Sequence, residues 1–228
     1  MKILVAGLCA VFSYLISGLN PAIILSKAVY HQDIRTVGSK NPGFTNFRRT
    51  YGKKLAWFVF FLDLLKAAVL CLIGGAVFAR LMGSRAFGVA FAGLFAVLGH
   101  AYPVYYGFRG GKGFSVSLSV LFFLDWRAGL IAAAVLVILL LSVKIMSVAS
   151  LSSLIVGTVA AGLLKTDLPA VFLYAVCVLF VLFRHRENLH RLIHGQERKF
   201  TFKKQSVPPE SVPEEPAAPA ECGSGESA

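Results

Sequence analysis

Residues 99–113 read GHAYPVYYGFRGGKG, with five glycines, one proline, His100, Arg109 and Lys112 set between long apolar runs. Gly110, Gly111 and Gly113 free the backbone for conformations closed to other residues and let it approach a ligand closely. An apolar helical run begins at Phe114. Backbone N–H groups at a helix start, joined by a lysine, form an anion site. The expectation is that this loop holds phosphate. It is no nucleotide P-loop, which needs Gly-x4-Gly-Lys-Ser/Thr. Here the residue five before Gly111 is Tyr106, and Lys112 is followed by Gly113. Taken alone, the stretch reads equally well as a flexible turn with a positive-inside lysine.

The flanking composition sets the class. Hydrophobic residues make up 57% of the 228, and mean hydropathy is +0.71. This is an all-α, polytopic membrane protein, with room for six to eight spans at roughly 20 residues each. Cys9, Cys71 and Cys177 lie in apolar runs and Cys222 near the end, so no disulfide framework and no metal site is implied. The net charge of +12 fits membrane orientation and anionic lipid rather than nucleic acid, for which no motif is present.

Apolar runs cover 3–25, 55–79, 86–106, 114–124, 128–146, 148–164 and 168–183, which makes about seven transmembrane helices. The first reads as a retained helix, interrupted at Ser17-Gly18 and Asn20-Pro21, where a tolerated kink is expected. The fourth gives roughly 16 Å of helix, so it is broken or packed inside the bundle. With the N-terminus outside, the inner segments carry sixteen of the twenty-three Lys and Arg residues and the outer segments five. That bias favours N-out, C-in, and places the three segments richest in polar chemistry on the cytoplasmic side. A membrane domain is assigned to 1–204. Residues 205–228, rich in Pro, Glu and Ala, read as a disordered tail without a catalytic role.

The first polar loop contains GSKNPGFTN, residues 38–46. Thr45 or Asn46 is expected to cap a following helix, whose opening turn would hold Arg48 and Arg49. Cations there oppose the helix dipole, a conflict that a bound anion between them would remove. Asp63 and Lys66, three apart and about 12 Å into the second span, read as a self-neutralising structural pair rather than a proton relay. His100 is a lone histidine beside Gly99. No His-x4-Asp occurs, which removes the arrangement used for acyl-CoA-dependent acyl transfer. Residues 185–197, HRENLHRLIHGQE, suit an interfacial helix with His185 and Asn188 on one face and a Glu187–Arg191 pair.

Together GSKNPGFTN (38–46), GHAYPVYYGFRGGKGFSV (99–116) and HRENLHRLIHGQE (185–197) resemble the bacterial acyl-phosphate:glycerol-3-phosphate acyltransferases. The patterns of that family look like G-S-G-N-x-G-A-T-N, G-H-x-F-P-x-F-x-x-F-x-G-G-K-G-V-A-T and H-x-x-N-I-x-R-L-x-x-G-x-E. The likeness spans nearly the whole chain except the tail. Lys40 stands where the pattern has its middle glycine, Phe44 where it has alanine, and Phe114, Ser115 and Val116 where it has V-A-T.

The resemblance implies transfer of a fatty acyl group from acyl phosphate to the 1-hydroxyl of sn-glycerol 3-phosphate. Lysophosphatidic acid and phosphate would result, with no metal and no cofactor, at the cytoplasmic face of the bacterial inner membrane. It implies catalytic roles for Ser39, Arg49, Lys112, His185 and Asn188. It implies substrate binding by Gly38, Asn41, Gly43, Thr45, Asn46, His100, Gly110, Gly111, Gly113 and Ser150, and structural roles for Asp63, Lys66 and Glu197. Acyl phosphate, glycerol 3-phosphate and membrane lipid are the implied partners, and the acyl-phosphate-producing enzyme is a candidate one. The leaving group of an acyl phosphate is already good, so neutralising two phosphates and aligning a hydroxyl is what the site must do. No acid is an obvious general base, and a substrate phosphate oxygen is expected to take the proton. A transporter of organic phosphates would need an internal repeat and charges spread through the bilayer depth; neither is seen. A non-catalytic lipid binder would not need Arg49, Lys112, His185 and Asn188 together.

Overall fold

The computed structural model describes residues 1–201; the tail expected at 205–228, with its boundary at 204, lies outside the described residues. Among those described, ten α-helices and one 3-10 turn occur and no strand. The chain is an all-α membrane protein, and each of the seven apolar runs is helical.

The first run divides into α1 (Lys2–Gly18) and α2 (Pro21–Tyr30). Pro21 has no N–H to give and so opens a helix rather than continuing one. The buried Asn20 side chain caps α2, accepting from the N–H of Ala22 at 3.0 Å and of Ile23 at 3.2 Å. Carbonyls freed at such a break need donors in an apolar setting. Lys66 supplies them, its Nζ donating to Ser17 O at 2.8 Å and Leu19 O at 3.2 Å.

After α3 (Phe44–Tyr51) come α4 (Lys53–Met82) and α5 (Arg85–Ala101). α5 runs through the centre, with α1, α4, α6 and α9 packed around it. A Cβ on Gly88 would lie 2.3 Å from Gly74 O. Contact that close is how helices associate where lipid is as apolar as their side chains. α6 (Phe114–Leu124) has eleven residues, and α7 (Trp126–Ser142) follows after Asp125 alone. Val116 through Leu121 are all buried, so α6 sits inside the bundle. α8 (Met146–Leu163) and α9 (Leu168–Arg184) complete it, and α10 (Arg186–Ile193) bends 57° from α9. Residues 2–30, 53–82, 85–106 and 146–163 are long and apolar enough to cross a membrane, and the bent α9–α10 pair is a fifth; α6 and α7 are shorter.

The two ends of the bundle differ. At one, Ser84 Oγ donates to Asp167, and Asp125 accepts from Arg127 at 2.8 Å and Thr166 at 2.7 Å, stitching three short turns together. At the other, the polar segments 31–52, 102–113, 143–150 and 184–198 converge.

Candidate active site

Those converging segments enclose one cavity of about 1170 Å³. Small-molecule pockets run to roughly 300–1,000 Å³, so this one has room for two reactants. All five residues expected to be catalytic line it: Ser39, Arg49, Lys112, His185 and Asn188. So do Gly38, Asn41, Gly43, Thr45, His100, Gly110, Gly113 and Ser150.

The first loop departs from expectation. α3 starts at Phe44 with Gly43 as its N-cap and no side-chain cap, so neither Thr45 nor Asn46 caps it. Arg48 and Arg49 fall in the last turn, where cations suit the helix dipole, and the expected conflict does not exist. Asn46 is buried and spends its amide inside the loop. Its Oδ1 accepts from Ser39 N–H at 2.8 Å, and its Nδ2 donates to Val37 O at 3.0 Å and Ile34 O at 3.3 Å. Although Asn46 touches the cavity wall, it shapes the loop that presents Ser39 rather than offering a free ligand. Lys40 takes φ +57°, a left-handed conformation costing a side-chain-bearing residue about 1–2 kcal/mol. This is the physical reason for a glycine there in the family pattern. Lys40→Gly is expected to raise the thermal midpoint by about 2–4 °C in detergent scanning calorimetry.

The glycine loop is also built differently from the simple anion cradle. Gly110 N–H donates to Ala101 O at 3.1 Å and Gly111 N–H to His100 O at 3.0 Å. Both amides are therefore used in docking the loop onto the end of α5. A Cβ on Gly111 would lie 2.1 Å from His100 Nε2, and one on Gly110 2.1 Å from His100 O. These two glycines serve close packing. What remains for an anion is the uncapped start of α6 after Gly113, with Lys112 beside it. Arg184 secures the loop from the other side, Nη2 donating to Gly111 O at 3.2 Å while its guanidinium lies 4.7 Å over the Tyr102 ring.

Lys112 Nζ donates to Asn188 Oδ1. Asn188 Nδ2 donates in turn to Glu197 at 2.6 Å, which also accepts from Ser147 Oγ at 3.0 Å and Arg191 Nε at 2.9 Å. The Glu197 carboxylate thus fixes which way the Asn188 amide faces. Arg191 pairs with Glu197, not with Glu187 as helical spacing predicts. Ser147, Arg184 and Arg191 are cavity residues to which the sequence reading gave no site role. Arg191 had a signal, since the family pattern carries an arginine at that place. His185 Nδ1 lies 2.8 Å from Val181 O; a carbonyl only accepts, so Nδ1 carries the proton and a neutral ring presents Nε2 as an acceptor. Ser150 donates its hydroxyl to Ser147 O at 3.1 Å.

At the floor, Lys66 Nζ sits 2.9 Å from Asp63 Oδ1 and 3.1 Å from His100 Nδ1. The Asp33 carboxylate is engaged by Arg35 at 2.7 Å, which holds its pKa well below the ordinary range. Cations outnumber acids around the cavity, and they crowd one another. Burial, then Arg191, pulls the Lys112 amine down to about 8. Burial, then Arg198, lowers Arg49 as well. A bound anion relieves both strains.

A family model described as glycerol-3-phosphate acyltransferase matches residues 7–195. A glycerol-3-phosphate acyltransferase of Finegoldia magna is 36% identical over 201 residues, covering 87% of this chain and 98% of the relative. One from Aquifex aeolicus is 35% identical over 190 residues, covering 83% and 96%. Two crystal structures of PlsY (YgiH), an integral membrane glycerol 3-phosphate acyltransferase, superpose at 33% identity. The glycerol 3-phosphate form has a TM-score of 0.79 and the lysophosphatidic acid form 0.75, each covering 86% of this chain. The matched residues 7–195 contain the whole cavity wall except Glu197 and Arg198, and the chain belongs to the glycerol-3-phosphate acyltransferase family.

Proposed function

We propose that the chain moves a fatty acyl group from an acyl phosphate to the 1-hydroxyl of glycerol 3-phosphate, releasing lysophosphatidic acid and phosphate. The observation that carries this reading is the single cavity in which Ser39, Arg49, Lys112, His185 and Asn188 meet with an excess of cations. The resemblance in sequence supports the acyl-phosphate donor. The charge bias supports a bacterial inner membrane with this cavity on the cytoplasmic side and the N-terminus outside.

Lys112 and the start of α6 hold one phosphate, and Arg49 with Ser39 holds the other. Lys112 rests on Asn188 Oδ1. When phosphate takes the ammonium, that amide oxygen is released to accept from the glycerol hydroxyl, with Asn188 still anchored by Glu197. His185 Nε2 offers a second acceptor. Alignment and charge neutralisation are the main sources of rate. Of the carboxylates lining the cavity, Asp33, Asp63 and Glu197 are committed to cations or amides. Glu187 is exposed in the first turn of α10. The proton of the hydroxyl therefore passes to a substrate phosphate oxygen.

The free acceptor on His185 favours a second reading, in which the imidazole is the base. Purified protein given palmitoyl phosphate and labelled glycerol 3-phosphate is expected to form lysophosphatidic acid without coenzyme A; uptake or binding without product overturns the assignment. His185→Gln separates the two proton routes. If substrate phosphate is the base, the variant keeps the fall in rate below about pH 6, where phosphate takes up its second proton. If His185 is the base, wild type loses rate instead as pH falls through about 4, to which burial lowers the imidazole, and the variant lacks that limb.

A further inference from the structure

We propose that Lys66 is a positioning residue that holds His100 in its Nε2–H form, so that His100 meets a substrate phosphate oxygen as a hydrogen-bond donor. This rests on the reading above that the cavity binds phosphorylated substrates. A buried ion pair is weak evidence for stability, since apolar residues of like volume often serve as well. Opposite charges inside a membrane bundle instead point to function.

The Lys66 ammonium has only donors to give. Its three N–H groups fall to Ser17 O, Leu19 O and His100 Nδ1, at 2.8, 3.2 and 3.1 Å, while Asp63 Oδ1 stands 2.9 Å away as its ion-pair partner. Asp63 lies farther from His100 Nδ1, at 3.4 Å, beyond the ordinary range for an N–H···O bond. Nδ1 therefore receives from Lys66, and the ring proton sits on Nε2. That atom occupies the space a side chain at position 111 would fill, next to Lys112 in the wall of the cavity. Asp63 pairs with Lys66 and holds it in place. His185, held through Nδ1–H by Val181 O, shows the opposite tautomer. The cavity thus has one imidazole built to donate to an anion and one built to accept from a hydroxyl. The same lysine closes the break between α1 and α2, so the seat of the glycine loop and the kink of the first span share one group.

The test uses full-length protein in nanodiscs, labelled with 15N-histidine at pH 8, with the His100 resonance assigned by its loss in His100→Gln. Wild type is expected to show a neutral ring protonated at Nε2. Asp63→Asn/Lys66→Met, which removes both charges together, is expected to shift it to a mixture of tautomers. A Nδ1–H ring in wild type, or an unchanged signal in the double variant, overturns the proposal. Kinetics supply the second arm. His100→Gln restores a donor near the position of Nε2 and should raise KM less than a side chain without one. His100→Phe fills the space without a donor and should raise one of them about ten- to hundredfold, the loss of one charge-assisted hydrogen bond. The substrate whose KM rises identifies the phosphate that His100 meets. Equal effects of Gln and Phe overturn the donor role. Absence of any acyl transfer in wild type would defeat the proposed function instead, and the resonance would still decide what Lys66 does.

Discussion

Lys112→Ala is expected to lower kcat/KM by about 10³-fold, the scale on which an enzyme loses one preorganised donor to developing charge. The lysine stands at the centre of the cavity's charge. It links the glycine loop to Asn188, and no other cation in the first turn of α6 can replace it. Substrate-free stability should change little or even rise, because burial disfavours the charged amine.

The pH dependence follows with a definite sign. Lys112 has its pKa lowered from 10.5 to about 8, first by burial and then by Arg191, so its charge is present below that value and lost as pH rises through it. Anion binding favours the charged form. KM for a phosphorylated substrate should accordingly climb above pH 8 while kcat, read on the occupied enzyme, holds further. An arginine at 112 stays charged throughout but presents a rigid planar fork rather than a point charge. Lys112→Arg should therefore show a flat KM above pH 8 at an elevated level. Steady-state kinetics between pH 5 and 10 check both; a wild-type KM that does not move across pH 8 rules out Lys112 as the phosphate ligand.

Much of this architecture can be read along the chain, and the exceptions share a cause. The seven apolar runs need only composition, and α6 falls on the run 114–124. The residues of the three polar segments stand out because glycines, lysine and histidine are costly beside lipid. Side-chain pairings were less legible where the chain reverses. Helical spacing offers Glu187 to Arg191. A turn at Gly195, φ +66°, with Gln196 N–H donating to Arg191 O at 2.7 Å, instead brings Glu197 back against the helix. Asn46 looked like a helix cap because caps and loop staples use the same side chain; only the start of α3 at Phe44 distinguishes them. Composition likewise cannot say whether a glycine amide faces a ligand or a neighbouring carbonyl. Gly110 and Gly111 do the latter.

Gly111→Ala tests that last point and should be nearly as damaging as loss of Lys112, by a different route. The added methyl would fall 2.1 Å from His100 Nε2 and 2.9 Å from its Cδ2. The ring has little freedom to retreat. Lys66 contacts Nδ1 at 3.1 Å, and the His100 carbonyl is bonded to the very amide that bears the new side chain. The loop must move instead. Overpacking of this kind costs about 1–3 kcal/mol of stability, and displacing the neighbouring Lys112 by about 1 Å costs on the order of 10²-fold in rate. Gly162→Ala is the control, since a Cβ on Gly162 in α8 meets nothing within 4 Å. It should leave activity unchanged and stabilise the helix by up to about 1 kcal/mol. Thermal midpoints and initial rates measured side by side separate the outcomes. If Gly111→Ala loses activity with an unshifted midpoint, the loop touches substrate through Gly111 itself. If both fall together, the glycine is there so that His100 and the Lys112 loop can share one space.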